Sequence, residues 1–376
     1  AMGATNGVAI LLSQAVGAGD RFRSARLITT SLVVAVVFAL GLTLILELTL
    51  TPLLLLLQTP AEIFSLTHSY LAIYILGYLP VYLYCYFAAV MRSYGNSVFQ
   101  VIAMLICTLL NAGLDPLFIH FMGFDGAAVA TLLSQTLCLL CMLGYLHRKP
   151  LFSLHLSQFD GSLVADFIRK GIPSAFQQSI PAISTSFLTA LVSSYGISAL
   201  AAYGITGKLE TILFYPAMAL NMALTSIVGQ CAGGKRYDRA GDYIRLSLFY
   251  GVLALIVLSA AVVIFANPLS HLFVDSDAAA EIVASYFRIV GIGYVLNTVT
   301  NCFLGSLNGL GQTTKSMLCM VLYYLIVRMP LAGILSALGF GLNGIWFAVL
   351  VSHLIAAAAA AITCSHALRK MKRAIL

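Results

Sequence analysis

Two charged residues, Lys208 and Glu210, interrupt a stretch that otherwise has the composition of a membrane-spanning helix, AAYGITGKLETILFYPAMAL (201–220). A charge at the bilayer centre costs about 2.5–3.5 kcal/mol on insertion scales, so it needs a compensating role. Residues two apart on a helix point about 200° away from each other, so these side chains cannot pair. Lys208 could extend its ammonium to the lipid headgroups. We expect at least one of the two to face protein or water, on the path of a substrate or ion.

A second pair of charges, Asp115 and Arg328, lies near the middle of two apolar segments, each just before a proline (Pro116 and Pro330). A proline inside a helix leaves backbone groups free to meet ions, water or side chains. The two charges occupy similar depths in an internal repeat described below. We predict that both face the space between the two halves, binding a cation or steering substrate. The alternative is structural: Asp115 caps the proline break or pairs locally.

Aromatic and amide side chains add candidates for substrate contact. Tyrosines recur every four residues from 70 to 86, and Tyr74 and Tyr78 could line a cleft and attract organic cations through their ring faces. Such a stripe also fits packing or an interfacial aromatic belt. Four amides lie at membrane depth and either bond between helices or contact substrate: Gln177, Gln178, Asn297 and Asn301.

The composition excludes a soluble protein. Of the 376 residues, 61% are hydrophobic and 9% are charged, whereas an ordinary soluble domain is roughly a quarter charged. Cys138 and Cys141 form a CxxC pair inside an apolar helix, without the second pair that a metal site needs. The sequence contains no HExxH, GxSxG or Walker A motif, so we expect neither an enzyme nor direct use of ATP.

Apolar segments and basic residues together predict the topology. Ten segments are long enough to span a bilayer, and residues 1–17 form part of an eleventh. The ten are 27–56, 64–90, 98–121, 127–146, 167–194, 198–230, 243–266, 280–306, 316–338 and 343–365. Of the 20 Lys and Arg, all except Lys208, Arg288 and Arg328 (20 − 3 = 17) lie in alternate breaks, within the first four residues of the span that follows such a break, or at the C-terminus. The positive-inside rule makes those breaks and the C-terminus cytoplasmic, in a multi-pass protein of the cell (inner) membrane.

An internal repeat divides the chain into two parts offset by 216 residues. LSQAVGAGDR (12–21) matches VGQCAGGKRY (228–237), aligning Gln14 with Gln230 and Gly17 with Gly233. RSYGNS (92–97) and MGFDGAAVA (122–130) match NGLGQT (308–313) and LGFGLNGIWFA (338–348). One period contains six spans, so the copies enter the membrane from the same side, as in transporters built of two halves.

These motifs resemble those of the multidrug and toxic compound extrusion (MATE) family. The stretches that carry the resemblance are SQAVGAGD (13–20), NAGLDPLFI (111–119), GIPSAFQQS (171–179), AAYGITGKLE (201–210), IVGQCAGG (227–234) and SLNGLGQT (306–313). The resemblance implies an all-α polytopic membrane protein with twelve helices in two parallel six-helix repeats around a central cleft. The expected parts are an N-terminal lobe (1–147), a cytoplasmic linker (148–166) and a C-terminal lobe (167–376). By the repeat, the first helix and part of the second would precede residue 1.

The resemblance implies an antiporter that exports organic, cationic drugs or toxic compounds in exchange for sodium ions or protons. It implies no cofactor, and we expect small organic substrates and the lipid bilayer, not nucleic acid, as partners of a monomer. Some family members bind the coupling cation through carboxylates on the seventh and tenth helices. This chain offers Gln177 and Asn297 there, which leaves the coupling ion open. The alternative is a lipid-linked oligosaccharide flippase of related architecture, with Lys208, Arg288 and Arg328 lining its cavity.

Overall fold

The protein is helical throughout the part of the chain that the structure describes, and no strand occurs there. The structure is a computed structural model that describes residues 2–148, 152, 156–271, 273 and 276–374. Part of the predicted linker (149–151 and 153–155 of 148–166) therefore lies outside the described residues. The prediction of an all-α polytopic membrane protein is confirmed.

Fourteen α-helices, one 3₁₀ turn and one π-helix follow one another in the described ranges. The first six helices are α1 (Met2–Gly17), α2 (Arg21–Leu56), α3 (Ala61–Leu76), α4 (Tyr78–Ser93), α5 (Val98–Met122) and α6 (Phe124–Arg148). After the 3₁₀ turn (Leu156–Gln158) come α7 (Ser162–Ser193), α8 (Ile197–Gly233), α9 (Tyr237–Ile264), α10 (Ala266–His271) and α11 (Asp277–Gly309). The chain closes with α12 (Thr313–Val321), the π-helix (Leu322–Arg328), α13 (Met329–Ala337) and α14 (Gly341–Arg373).

Nine helical stretches in the described ranges are long and apolar enough to cross a membrane. They correspond to the predicted spans except 1–17 and 167–194, which nevertheless form helices α1 and α7. The predicted third span (64–90) is divided into α3 and α4 at Gly77. Pro80 explains the division, because it has no N–H to donate to the carbonyl of Leu76 one turn earlier.

The helices pack into two compact units. The first comprises residues 2–12 and 20–169, and the second comprises residues 13–19 together with 170–374. The last residues of α1 thus pack with the second unit, whereas the sequence placed residues 1–147 together in an N-terminal lobe. The lobe boundaries that we derived from the sequence stay a prediction.

Helix α11 forms the centre of the second unit and packs against α8, α9 and α14. The buried residues of α11 include several alanines and glycines. Small residues let neighbouring helices approach closely in lipid, which supplies no hydrophobic driving force between them. The aromatic part of this core is fully buried and comprises Tyr286, Phe287, Tyr294 and Trp346. This packed centre positions the polar groups of the candidate site.

Candidate functional site

Glu210 lies on α8, and two tyrosines of α11 donate hydrogen bonds to it. The hydroxyls of Tyr286 and Tyr294 reach its Oε1 at 2.5 and 3.2 Å. Because the two tyrosines are eight residues apart, they share one face of α11. Lys208 is exposed and points elsewhere. Of the two charges that interrupt this helix, the acidic one therefore faces protein and has partners.

Arg328 is buried in the second unit, where three groups accept hydrogen bonds from its guanidinium. Nε donates to Ser352 Oγ at 3.0 Å, and Nη2 donates to Tyr323 Oη at 2.8 Å and His353 Nε2 at 3.3 Å. The guanidinium carbon also lies over the rings of Tyr323 and Tyr324, 4.7 and 4.6 Å from their centroids. Cation–π attraction of this kind strengthens when the partners are removed from water.

The π-helix brings Arg328 and these tyrosines to one side. In an α-helix, residues five apart are turned by about 140° from each other, whereas a π-helix closes its hydrogen bonds over five residues. The Met329 N–H bonds to the Tyr324 carbonyl in this way. Pro330, which has no N–H for the carbonyl of Ile326, favours the departure from α-helical bonding. Arg328 thereby stacks on the residues four and five positions before it.

His353 links Arg328 to the core through Tyr323 and Gly293. A guanidinium can only donate hydrogen bonds, so Nε2 of His353 accepts and the ring proton lies on Nδ1. That Nδ1 lies 2.5 Å from the Tyr323 hydroxyl. Gly293 of α11 leaves room for the ring, because a Cβ there would come within 2.8 Å of His353 Cδ2. A fully buried histidine is thus held in one tautomer.

Phe214 connects the glutamate and the arginine into one cluster. Its ring packs edge-on against Tyr294, with centroids 5.6 Å apart, and lies 6.3 Å from the imidazole of His353. A continuous run of contacts therefore leads from Glu210 through Tyr294, Phe214 and His353 to Arg328. We call this set, with Tyr286, Tyr323 and Ser352, the Glu–Arg cluster.

Three of the four amides predicted at membrane depth form hydrogen bonds within the protein. Asn301 accepts a bond from Asn221 at 3.2 Å and donates to the backbone oxygen of the buried Asn297 at 3.0 Å. The buried Gln177 exchanges bonds with Asn308 and accepts one from Ser316. These contacts favour the interpretation that such amides join helices. Gln178 is exposed and makes no side-chain hydrogen bond within the described ranges.

In the first unit, Asp115 pairs locally. Its Oδ1 accepts a bond from Asn111 Nδ2 at 3.2 Å, four residues earlier on α5. This is the structural alternative that the sequence left open, and the functional role stays a prediction. Tyr74 is 48% exposed, while Tyr78 is half-buried with its ring 5.9 Å from Tyr82. Of the two tyrosines, Tyr74 therefore presents more of its surface to a ligand.

Of the eight residues in the Glu–Arg cluster, the sequence analysis identified only Glu210 and Arg328. The eight-residue spacing of Tyr286 and Tyr294 could have indicated that they share one helix face. His353 could also have been singled out, because it is the only histidine in the predicted span 343–365. The π-helix could not have been predicted, because no local sequence pattern distinguishes it from the α-helix on either side. Arg328 was found, but its partners were not.

Comparisons with known proteins decide the family. The MatE family model matches residues 1–117 and 173–334, which is most of the chain. The chain belongs to the MatE family. The expected resemblance is confirmed, and with it the assignment to membrane transporters rather than enzymes.

The MatE relatives include named drug-resistance proteins. The chain is 23% identical over 273 residues to a probable multidrug resistance protein NorM of Thermotoga maritima, covering 70% of this chain and 59% of that protein. It is 27% identical to a probable multidrug resistance protein YpnP of Bacillus subtilis, covering 73% and 62%. It is 25% identical to the FAD transporter of Shewanella oneidensis, covering 70% and 60%. The matched region spans about three-fifths of these relatives.

Solved MatE structures share the fold over nearly the entire chain. The Vibrio cholerae MATE transporter VcmN, in its bent form, superposes with a TM-score of 0.92 at 23% identity, covering 98% of this chain and 85% of that one. A transporter of the MOP superfamily from Pyrococcus furiosus, described as having a binding pocket of reversed polarity, gives 0.94 at 21% identity, covering 99% and 84%. The MATE-like fold is therefore confirmed for this multi-pass membrane protein.

Proposed function

We propose that this MatE protein exports organic cations in exchange for protons, and that Glu210 carries the coupling proton in the second unit. The carboxylate of Glu210 carries the proposal. The other acidic residues that the structure describes in this unit lie in the first two turns of α9 and α11: Asp238, Asp242, Asp277 and Glu281. Asp275 lies outside the described residues. Glu210 is thus the acidic residue placed at membrane depth, where an ionisable side chain marks an ion or substrate pathway by default.

The bonds to Glu210 favour a proton over sodium. Both tyrosine hydroxyls donate to Oε1, and Oε2 has no hydrogen-bond partner in the described part of the chain. A proton can bind Oε2 while both bonds to Oε1 persist. A metal cation instead needs several oxygen lone pairs directed at it, and the tyrosines offer hydrogens in the present arrangement. The guanidinium of Arg328 in the same cluster would also repel a second cation.

Neutralising Glu210 would change the balance of charge inside the membrane. With Glu210 ionised, the Glu–Arg cluster holds one negative and one positive group; with Glu210 protonated, only Arg328 is charged. A bound organic cation is then disfavoured by the unbalanced positive charge. Protonation of Glu210 and release of the organic cation are thus linked through the charge of one carboxylate, which is what exchange of a proton for the substrate requires. The expected substrates follow from the named multidrug relatives and from the exposed ring of Tyr74.

The test is ethidium efflux from vesicles that contain the protein, with proton and sodium gradients imposed separately. We expect the proton gradient to drive efflux, Glu210→Gln to abolish it and Glu210→Asp to retain part of it. Glu281→Gln is the matched control, because Glu281 is exposed at the start of α11. Efflux driven by sodium alone would contradict proton coupling. Normal efflux by Glu210→Gln at equal expression would contradict the role of the carboxylate.

Arg328 supports a second candidate, the export of anionic compounds. Two of its guanidinium nitrogens have partners, whereas Nη1 has none among the residues that the structure describes. The similarity to the Shewanella FAD transporter points to substrates of this class. Flavin nucleotide efflux from the same vesicles, abolished by Arg328→Gln, would favour it over cation export. The flippase alternative lacks such support, because Lys208 and Arg288 are exposed and do not join the Glu–Arg cluster.

A further inference from the structure

We propose that a groove at one end of the second unit binds an anionic phospholipid with a single phosphate, of the phosphatidylglycerol type. The groove has a volume of about 460 Å³ and lies between α9 and α14, with Phe303 of α11 in its wall. It shares no residue with the Glu–Arg cluster. The proposal is therefore independent of which compound the protein exports.

The groove is lined by both charged and apolar side chains, the two kinds of contact that a phospholipid makes. Charged side chains come from the first turns of α9 and the last turns of α14, where these helices end. Its apolar residues begin beside these charges, since Ile244 and Leu368 adjoin Arg245 and Arg369 in the sequence, and they continue to Leu248 on α9 and Phe303 on α11. A headgroup would contact the charged side chains, and an acyl chain would lie against Leu248 and Phe303. The apolar residues are Ile244, Leu248, Phe303 and Leu368.

The helices α9 and α14 are in contact where they form the groove. Gly241 of α9 has no side chain, and a Cβ there would lie 3.7 Å from Leu368 Cδ2 of α14. The buried Ile244 and Cys364 belong to the hydrophobic cluster beneath. The groove is therefore a fixed depression between packed helices, which costs less ordering on binding than a mobile surface.

The charges of the groove select an anion. Lys372 Nζ is paired with Asp238 Oδ1 at 2.5 Å, so this pair leaves no net charge. Three exposed side chains remain without an ion-pair partner among the described residues: Arg245 and Asp242 on α9, and Arg369 on α14. Two guanidiniums from opposite walls can clamp one phosphate, since arginine matches phosphate geometry. The carboxylate of Asp242 can accept bonds from glycerol hydroxyls and would repel a second phosphate.

The surroundings of the groove add to this preference. Five further basic residues lie at the neighbouring ends of α8, α9 and α14: Lys235, Arg236, Arg239, Lys370 and Arg373. Basic clusters beside a membrane-spanning helix, and basic pockets between such helices, attract anionic lipids. The same positive field disfavours the ammonium group of phosphatidylethanolamine, although Asp242 could pair with it. Net charge therefore favours a glycerol headgroup.

The test is native mass spectrometry of the detergent-purified protein, titrated with phosphatidylglycerol, phosphatidylethanolamine or phosphatidylcholine. We expect tight binding of phosphatidylglycerol alone. The double variant Arg245→Gln/Arg369→Gln should weaken it about 30-fold, or about 2 kcal/mol at 1.4 kcal/mol per tenfold. The control Lys370→Gln/Arg373→Gln removes the same charge from the same end of the protein without altering the groove lining, and should weaken binding much less.

A second measurement guards against misfolding of the variants. Phosphatidylglycerol should raise the unfolding temperature of the unmodified protein and of the control, but not that of the groove variant. All three proteins should elute alike in size-exclusion chromatography. Equal weakening in both double variants would show general surface attraction and overturn the proposal. Equal binding of phosphatidylethanolamine and phosphatidylglycerol would overturn the assignment of the headgroup.

Discussion

Gly17 of α1 lies directly against the backbone of Gln230 on α8, so that a Cβ on the glycine would sit 2.0 Å from the Gln230 carbonyl oxygen. The repeat-related pair shows the same relationship: a Cβ on Gly233 would lie 1.9 Å from the carbonyl oxygen of Gln14. The end of α1 and the end of α8 therefore cross through residues that are equivalent in the repeat. Gln14 also donates a bond to the Gly309 carbonyl at 2.8 Å.

An alanine in place of Gly17 or Gly233 should push α1 and α8 apart where they cross. We expect Gly17→Ala or Gly233→Ala to destabilise the protein by about 3 kcal/mol, at the upper end of overpacking effects, because the neighbour is backbone and cannot move aside. Gly207→Ala on α8 is the control, since nothing lies within 4 Å of a Cβ there. Thermal unfolding in detergent, followed by size-exclusion fluorescence, measures the difference. Equal unfolding temperatures for all three variants would contradict the close crossing.

Replacing Arg328 should lower the stability of the protein far more than replacing Arg288. Arg288 is exposed, and its Nη2 donates to Asn267 Oδ1 at 2.8 Å. A lysine at 328 keeps the charge but cannot hold Ser352 and Tyr323 in the geometry of a guanidinium. We expect Arg328→Lys to cost about 1–3 kcal/mol, the cost of buried groups left without partners. Arg288→Lys should stay within about 0.5 kcal/mol. Chemical unfolding of the two variants side by side makes the comparison.

If Arg288→Lys lowered stability more than Arg328→Lys, the Glu–Arg cluster would not hold Arg328 as described. A variant that removes a single bond provides a further check. Tyr323→Phe removes one acceptor and leaves the ring, so it should lower stability less than Arg328→Lys while preserving the stacking.

Asp160 should make stability depend on pH near the start of α7. Its carboxylate accepts bonds from the backbone N–H and hydroxyl of Ser162 and pairs with Arg26, and its own N–H donates to Thr30 at 3.0 Å. The bonds from Ser162, followed by the charge of Arg26, lower the pKa of Asp160. A depressed pKa contributes stability at pH values above the unfolded pKa, and this contribution is lost as pH falls through the folded value.

The unfolding temperature should therefore fall more steeply below about pH 4, the ordinary range of an aspartate pKa, in the unmodified protein than in Asp160→Asn. Asp166→Asn is the control, because Asp166 lies in the first turns of α7 and makes no hydrogen bond or ion pair in the described part of the chain. Identical pH profiles for the unmodified protein and Asp160→Asn would show that this carboxylate does not contribute.

The basic breaks should be cytoplasmic. In a variant without the eight native cysteines, a membrane-impermeant maleimide added outside intact cells should label Ser276→Cys but not Lys235→Cys. The reason is the distribution of 17 of the 20 basic residues (20 − 3) over alternate breaks. Labelling in the opposite pattern would reverse the orientation of the whole chain.

The helices were predictable because lipid imposes one strong rule, that long apolar stretches become helices whose backbone groups bond internally. The polar partners were not, since they depend on which helices become neighbours. Lys208 and Glu210 show this: their spacing required that they diverge, but only packing determined that Glu210 meets α11. Gln177 shows the converse, because an amide that could have contacted substrate bonds instead to Asn308 and Ser316.

The π-helix at Leu322–Arg328 makes the length of this segment as important as its composition. A π-helix corresponds to an α-helix with one inserted residue, so deletion of a single residue between 322 and 328 would restore regular α-helical bonding. Everything after the deletion would then turn by about 100° relative to Tyr323 and Tyr324. In an alignment of relatives, a one-residue gap at this place would therefore mark proteins in which the arginine does not stack on the tyrosines. This would hold even where the arginine and both tyrosines are present.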